Sequence, residues 1–312
     1  METQSRQVRM MGTVIDIQVT ADQPQTFLDH VEAMLVDFNA RFSAHDDQSQ
    51  LGRLRAAAGK EWVQVSEDVF DLVAIGKEHS LAQPSFLNIA IGPLASAWRI
   101  GFTDAQRPSD QMIQNKLALT DPHAIALDFE NHCVFLEKTG MSIDLGALAK
   151  GYFADKIMDY LADMQVASAL INLGGNLMVM GDPPNRPGGQ WRIGIQNPKQ
   201  KRGINDMVIK IDQGSVVTSG IYERYLQLDG KSYHHIFDPN TGYPVASDLA
   251  SLTIVSPTSL EGEIWTTRLF GLSIPEIMEK VDQETGIEAI AIDKSGQRFA
   301  SRQVLNMVDL RV

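Results

Sequence analysis

The sequence predicts an α+β protein. Segments that alternate with period two and segments striped with period 3.6 both recur along the 312 residues, in an order that is neither regular β-α-β nor an all-β meander. Hydrophobic residues make up 44% of the chain and charged residues 21%, so the length can bury a sizeable core as one large domain or two average ones. No internal repeat, low-complexity run or sharp boundary divides it. Residues 1–312 are expected to form a single domain or two intertwined lobes.

Ile15, Ile17 and Val19 alternate with Asp16 and Gln18, which reads as a strand with one wet face. Pro24 opens a helix in which Phe27, Val31, Met34, Leu35, Phe38 and Phe42 follow helical spacing and would pack on that strand. The polar run 43–49 is a loop. A second helix is expected from 66 toward 81, with Val69, Leu72 and Val73 inward. Pro84, Gly92, Pro93, Gly101 and Pro108 mark residues 83–110 as loop with short elements. Residues 124–139 read as a hairpin turning near 128–131. Leu145, Leu148, Ala149, Tyr152, Phe153, Ile157 and Leu161 then share one helical stripe, with Lys150, Lys156, Asp159 and Asp163 mostly off it. Residues 168–173 form a strand that meets Gly174-Gly175-Asn176 and continues through 177–180. The proline- and glycine-rich stretch 182–189 is an irregular loop, and Trp191, Ile193 and Ile195 alternate after it. Asp229-Gly230 between Leu226-Gln227-Leu228 and Ser232-Tyr233 is a hairpin signal. Ser273-Ile274-Pro275-Glu276 is a capping box that starts a helix, and residues 290–293 close with a strand before a Ser295-Gly296 turn.

Charge and cysteine usage exclude several classes. The chain has 27 Lys+Arg against 39 Asp+Glu, a formal net charge of −12. That balance argues against a general nucleic-acid binder or an anionic-membrane binder, both of which need basic footprints. A small anionic ligand would need cations supplied locally. The single cysteine, Cys133, forbids an intrachain disulfide or a thiolate zinc site, and its neighbours Val134-Phe135-Leu136 lead to the expectation of a buried structural thiol rather than a reactive one. No run approaches the ~18 apolar residues of a membrane span. The first residues show no export or lipidation signal, so a cytoplasmic protein is expected. No Walker loop, G-x-G-x-x-G, G-x-S-x-G or H-E-x-x-H pattern occurs.

Four segments carry chemistry. Around Asp144-Leu145-Gly146-Ala147 a strand exits into a helix whose first backbone N–H groups favour anions, and Lys150 lies one turn in, within reach of a phosphate. An N-cap aspartate with a solvated lysine is the alternative. Asn172-Leu173-Gly174-Gly175-Asn176 lets backbone approach a ligand closely, or is simply a turn. In His234-His235-Ile236-Phe237-Asp238-Pro239 the two imidazoles point to opposite faces of a strand, so they cannot both line one pocket, and one functional and one structural histidine is an open reading. His235 and Asp238 could cooperate, the carboxylate orienting the ring; a polar hairpin end is the alternative. Glu263 and Thr267, four apart on one helix face, offer hard oxygen ligands suited to Mg²⁺, although such pairs are also ordinary helix surface.

Taken in order, these segments resemble the ApbE family, the FAD:protein FMN transferases, over nearly the whole chain. The resemblance runs through Met11-Gly12-Thr13, Asp47-Gln48-Ser49-Gln50-Leu51, Ile91-Gly92-Pro93-Leu94 with Trp98, and Asp144-Leu145-Gly146-Ala147 with Lys150-Gly151-Tyr152. It continues through Asn172-Leu173-Gly174-Gly175, Trp191 with Gly194-Ile195, Thr218-Ser219-Gly220 with Tyr222, His235-Ile236-Phe237-Asp238-Pro239 with Thr241-Gly242, and Thr267 before Leu269-Phe270. It implies a mixed fold of antiparallel-rich sheets and packed helices, with the active site in a central cleft. It also implies a Mg²⁺-dependent transfer of FMN from FAD to a Thr or Ser hydroxyl of a target flavoprotein, with AMP released. By the same resemblance Met11, Phe86, Leu87, Asn88, Asp144, Lys150 and His235 contact FAD, and the Ala147 carbonyl, Glu263 and Thr267 hold Mg²⁺. His235 with Asp238 would take the acceptor's proton. The chain departs from the family at Glu263, where Asp is usual, and at Asn88-Ile89-Ala90, where Asp-Ile-Thr is usual. The other readings are a Mg²⁺-dependent FAD pyrophosphatase giving FMN and AMP, and a flavin binder without turnover. Neither nucleic acid nor membrane insertion is expected.

Overall fold

The computed structural model describes residues 1–308. β1 (Glu2–Met10) and β2 (Thr13–Ala21) pair up to Met10 and Thr13, so the chain reverses on Met11-Gly12 alone. Both residues are left-handed, with φ of 54° and 70°, the backbone that a two-residue hairpin requires. β1 shows alternation only at its end, where Val8 and Met10 face the core, because the inward positions before them are polar. Ile15, Ile17 and Val19 of β2 are buried against α1 (Pro24–Phe42), where Leu28, Val31, Leu35 and Phe38 form the inward stripe. Arg6 on β1 ties the layers together by pairing with Asp29 and Glu32 at 2.6 and 2.7 Å.

The next stretch forms a wing. α2 (Gln50–Ala57) is capped by Ser49, whose hydroxyl accepts from Gly52 N at 2.9 Å. β3 (Val63–Gln64), β4 (Ile125–Asp128) and β5 (Cys133–Leu136) make a small sheet in the order β3-β5-β4. α3 (Glu67–Leu81) buries Val69, Leu72 and Val73 as expected, together with Phe70. The expected loop 83–110 holds a 3₁₀ turn (Ile89–Ile91) running into α4 (Gly92–Trp98), and α5 (Asp110–Leu117) follows.

α6 (Ala149–Asp163) packs on α1 and on the next two strands of the main sheet, with Phe153 stacked on Phe38 at 4.5 Å between ring centroids. β6 (Ser168–Asn172) does not continue into β7 (Asn176–Gly181). The two pair antiparallel, because Gly174 and Gly175 at φ of 73° and 95° turn the chain back on itself. β8 (Trp191–Gln196) and β9 (Asn205–Ile211) form a separate ribbon whose Ile193, Ile195 and Ile209 cover the other face of the main sheet. β10 (Gly214–Gly220) leads to a short flap, β11 (Tyr225–Leu228) and β12 (Lys231–His234), hinged on the expected Asp229-Gly230 turn.

β13 (Leu249–Ser256) is buried at every residue. It lies between the ribbon on one face and α7 (Ser259–Leu269) with α8 (Ile274–Val281) on the other. β14 (Glu288–Asp293) and β15 (Arg298–Ala300) finish the main sheet, whose order is β1-β2-β6-β7-β10-β13-β14-β15, antiparallel throughout. The sequence reading of α+β with antiparallel sheets and packed helices therefore holds. Among the described residues no helix is long and apolar enough to cross a membrane.

Candidate functional site

The site begins where α6 and α7 cross. Gly151 makes the crossing possible: a Cβ there would sit 2.6 Å from the Ser259 carbonyl oxygen and 2.8 Å from Leu260 Cα. The preceding residue, Lys150, then faces α7, and its Nζ lies 2.9 Å from Glu263 Oε1. Asn176, at the start of β7, donates its Nδ2 to the same oxygen at 3.0 Å, and its Oδ1 accepts from Ser259 Oγ at 2.6 Å. Glu263 is only 4% exposed, so this carboxylate is affordable only because a cation and an amide meet it.

Asp155, one turn beyond Lys150, accepts from Ser259 N and Leu260 N at 2.6 and 2.8 Å and so caps α7 from outside the helix. Burial raises its pKa to about 6, against the opposing pull of the two backbone N–H donors. Because the folded pKa exceeds the unfolded one, the protonated form is favoured by folding, and stability from this group is lost as pH rises through about 6. Acidification from pH 7 to pH 5 should therefore stabilise the wild type by about 1 kcal/mol relative to Asp155→Asn, measured by urea unfolding. A difference that stays flat with pH would remove Asp155 from this account.

The turn before α6 sits beside the same carboxylate. Asp144 Oδ1 accepts from Gly146 N at 2.8 Å, and Lys150 Nζ reaches the Gly146 carbonyl at 3.5 Å as well as Glu263. Ala147 in this turn is exposed, and Thr267, one turn along α7 from Glu263, is half-buried. Among the described residues no three His, Cys, Asp or Glu side chains gather around a point. A cation here would instead have one carboxylate, one hydroxyl and a backbone carbonyl, all hard oxygen donors of the kind Mg²⁺ takes alongside water and phosphate.

Residues 86–88 are strapped to the far end of α7. Phe86 N donates to the Arg268 carbonyl at 3.0 Å, Arg268 Nη2 to the Pro84 carbonyl at 3.3 Å, and the Phe86 ring fills the space a Cβ at Gly271 would need. Leu87 is buried. Asn88 caps the 3₁₀ turn by accepting from Ala90 N, and its Nδ2 donates to the Thr120 carbonyl, both at 2.8 Å. Asp144 N donates to the Ile89 carbonyl at 2.8 Å, which joins this segment to the turn before α6.

The flap supplies the histidines. His234 is buried, with Nε2 3.0 Å from the Val245 carbonyl and Nδ1 accepting from Ile236 N. It is the structural one. His235, just past β12, faces the other way. Both its backbone N and its Nδ1 lie against the Arg224 carbonyl, at 3.3 and 3.2 Å. Burial lowers the His235 pKa to about 4, and the charges of Arg224 and Lys150 push the same way. The ring is therefore neutral at pH 7, with Nδ1–H given to the carbonyl and the Nε2 lone pair left to act.

The expected pairing of His235 with Asp238 is not what the structure shows. The Asp238 carboxylate accepts from Asn240 N at 2.9 Å, Asn240 Nδ2 at 3.1 Å and Thr241 Oγ1 at 3.1 Å, so it builds the 238–242 turn. Trp98 Nε1 anchors that turn on the Gly242 carbonyl at 3.1 Å. A backbone carbonyl orients the imidazole instead. Asn176, Asp155 and Arg224 are the site residues that sequence reasoning missed. Only Asn176 had a signal, its place beside the paired glycines. Met11 joins from the β1–β2 turn: Gly12 faces the Arg224 guanidinium, and Thr13 lies against Gly174.

The chain is similar to known proteins in sequence and in fold. A model of the ApbE family matches residues 11–291. A Klebsiella pneumoniae (strain 342) protein named FAD:protein FMN transferase is 44% identical over 248 residues, covering 80% of this chain and 76% of that one. A Treponema pallidum (strain Nichols) protein of the same name is 31% identical over 319 residues, covering 97% and 88%. Among solved structures, an ApbE protein from Thermotoga maritima superposes with a TM-score of 0.90 at 25% identity, over 99% of this chain and all of the other. The apo form of a Pseudomonas stutzeri flavinyl transferase, ApbE, shares the fold, with a TM-score of 0.85 at 23% identity over 100% of this chain and 98% of that one.

Proposed function

Since the chain belongs to the ApbE family and is by that kinship an FAD:protein FMN transferase, we propose that it carries FMN from FAD to a Thr or Ser hydroxyl of a target flavoprotein with the help of Mg²⁺. In this reaction the acceptor oxygen bonds to the FMN phosphorus, the bond from that phosphorus to the bridging oxygen breaks, and AMP leaves. The observation that supports the reading best is the meeting of Lys150 and Asn176 on the buried Glu263 carboxylate, beside the turn that carries Ala147. Glu263, Thr267 and the Ala147 carbonyl would hold Mg²⁺, which supplies charge neutralisation at the phosphate oxygens when bound. Lys150 adds a further positive charge there. His235, neutral and held by the Arg224 carbonyl, receives the acceptor's hydroxyl proton at Nε2. Met11 and the strapped segment Phe86-Leu87-Asn88, with Asp144, would bind the flavin nucleotide, Leu87 and Asn88 shaping the wall from behind.

The test uses the purified protein with FAD, Mg²⁺ and an acceptor flavoprotein domain. Intact mass is expected to show the acceptor gaining one FMN unit while free AMP appears in equal amount. Free FMN and AMP with no mass gain would make the protein a pyrophosphatase instead. Intact FAD throughout would defeat both catalytic readings.

A further inference from the structure

We infer that Arg224 is a substrate-binding residue of this site, its guanidinium gripping the diphosphate of FAD; the inference rests on the flavin-transfer reading and deepens it. Arg224 is exposed and no carboxylate pairs with it among the described residues, in a chain with a net charge of −12. Yet its arm is not loose. Its Cδ lies 3.1 Å from where a Cβ on Gly101 would stand, and its Nη2 lies 3.1 Å from where a Cβ on Gly12 would stand. Both glycines are left-handed, at φ of 97° and 70°, so the bare backbone on either side is required by the turns themselves. The guanidinium is thus laid over the turn that carries Met11.

The same residue's carbonyl holds both the backbone N and the Nδ1 of His235. One residue therefore ties a cation to the imidazole that faces the reacting hydroxyl. Lys150 divides its charge between the phosphate and Glu263, which it meets at 2.9 Å, so a doubly charged diphosphate has room for a second side-chain cation. A planar guanidinium with several parallel N–H donors matches phosphate oxygens better than an ammonium does.

The test measures binding of FAD and of riboflavin, which lacks phosphate, by flavin fluorescence to the full-length wild type and to Arg224→Ala, Arg224→Gln and Arg224→Lys. Arg224→Gln keeps most of the stem over Gly101 and guards against a collapsed flap. Loss of the guanidinium is expected to weaken FAD about tenfold or more while riboflavin changes by less than about twofold, with lysine restoring only part of the loss. Unchanged FAD affinity in both Arg224→Ala and Arg224→Gln overturns the assignment, as does an equal loss for FAD and riboflavin, which would mark a structural role. A wild type that binds no FAD at all would instead overturn the flavin-transfer reading.

Discussion

Replacing Glu263 with alanine is expected to lower the rate of flavin transfer by about 10³-fold, the loss of several kcal/mol of transition-state stabilisation. The carboxylate is buried, and its Oε1 is shared by Lys150 and Asn176. Removing it takes the one anionic ligand from the proposed cation site and leaves both partners without their acceptor. The Lys150 side chain keeps 27% exposure, so its ammonium can turn to water and the stability cost is expected near 2 kcal/mol, below that of a fully dry pair. Glu263→Gln separates the two effects. The amide oxygen can still accept from Asn176, so the fold should lose little, while the missing charge should keep transfer low. Transfer rates and urea unfolding on both variants decide it. Full activity in Glu263→Gln would take the carboxylate out of the chemistry.

His235→Gln is expected to lower kcat by about 10²- to 10⁴-fold with FAD affinity largely kept, the signature of a lost proton acceptor rather than a lost binding contact. The pH profile is the sharper readout. A base must be neutral to act, and activity through His235 is lost as pH falls through its pKa. With that pKa depressed to about 4 by burial and with the residue half-buried, the acid limb of kcat/KM should fall between about pH 4 and the free-histidine value of about 6.5. The limb should vanish in His235→Gln. A wild-type limb at or above pH 7, or one that survives in the variant, would point to another group.

Strands and helices with one wet face were legible in the sequence because burial on a single face writes a period. Ile15, Ile17 and Val19 announced β2, and the stripe through Phe153 and Ile157 announced α6. β13 left no alternation, since all its residues are buried between two layers. The reversal between β6 and β7 was misread as one strand because apolar residues flank the glycines on both sides. In the site, Lys150, Glu263 and His235 were recognisable by type and order. Their contacts were not, because the Lys150–Glu263 pair depends on how closely two helices cross at Gly151, and the partner of His235 is a main-chain oxygen that no side-chain pattern reveals.

The order of strands in the main sheet has a consequence for the life history of each chain. Asn176 and Glu263 are 87 residues apart, Pro84 and Arg268 are 184 apart, and Trp98 and Gly242 are 144 apart, yet each pair is joined by a hydrogen bond in the folded chain. β10 can unite β7 with β13 only after β13 has been made, and α7 follows β13. During synthesis, a nascent chain therefore holds Lys150 long before its counter-charge exists. Contacts of such sequence separation also form slowly. Substrate capture is consequently a late event, and a bound flavin nucleotide certifies a chain that has finished folding.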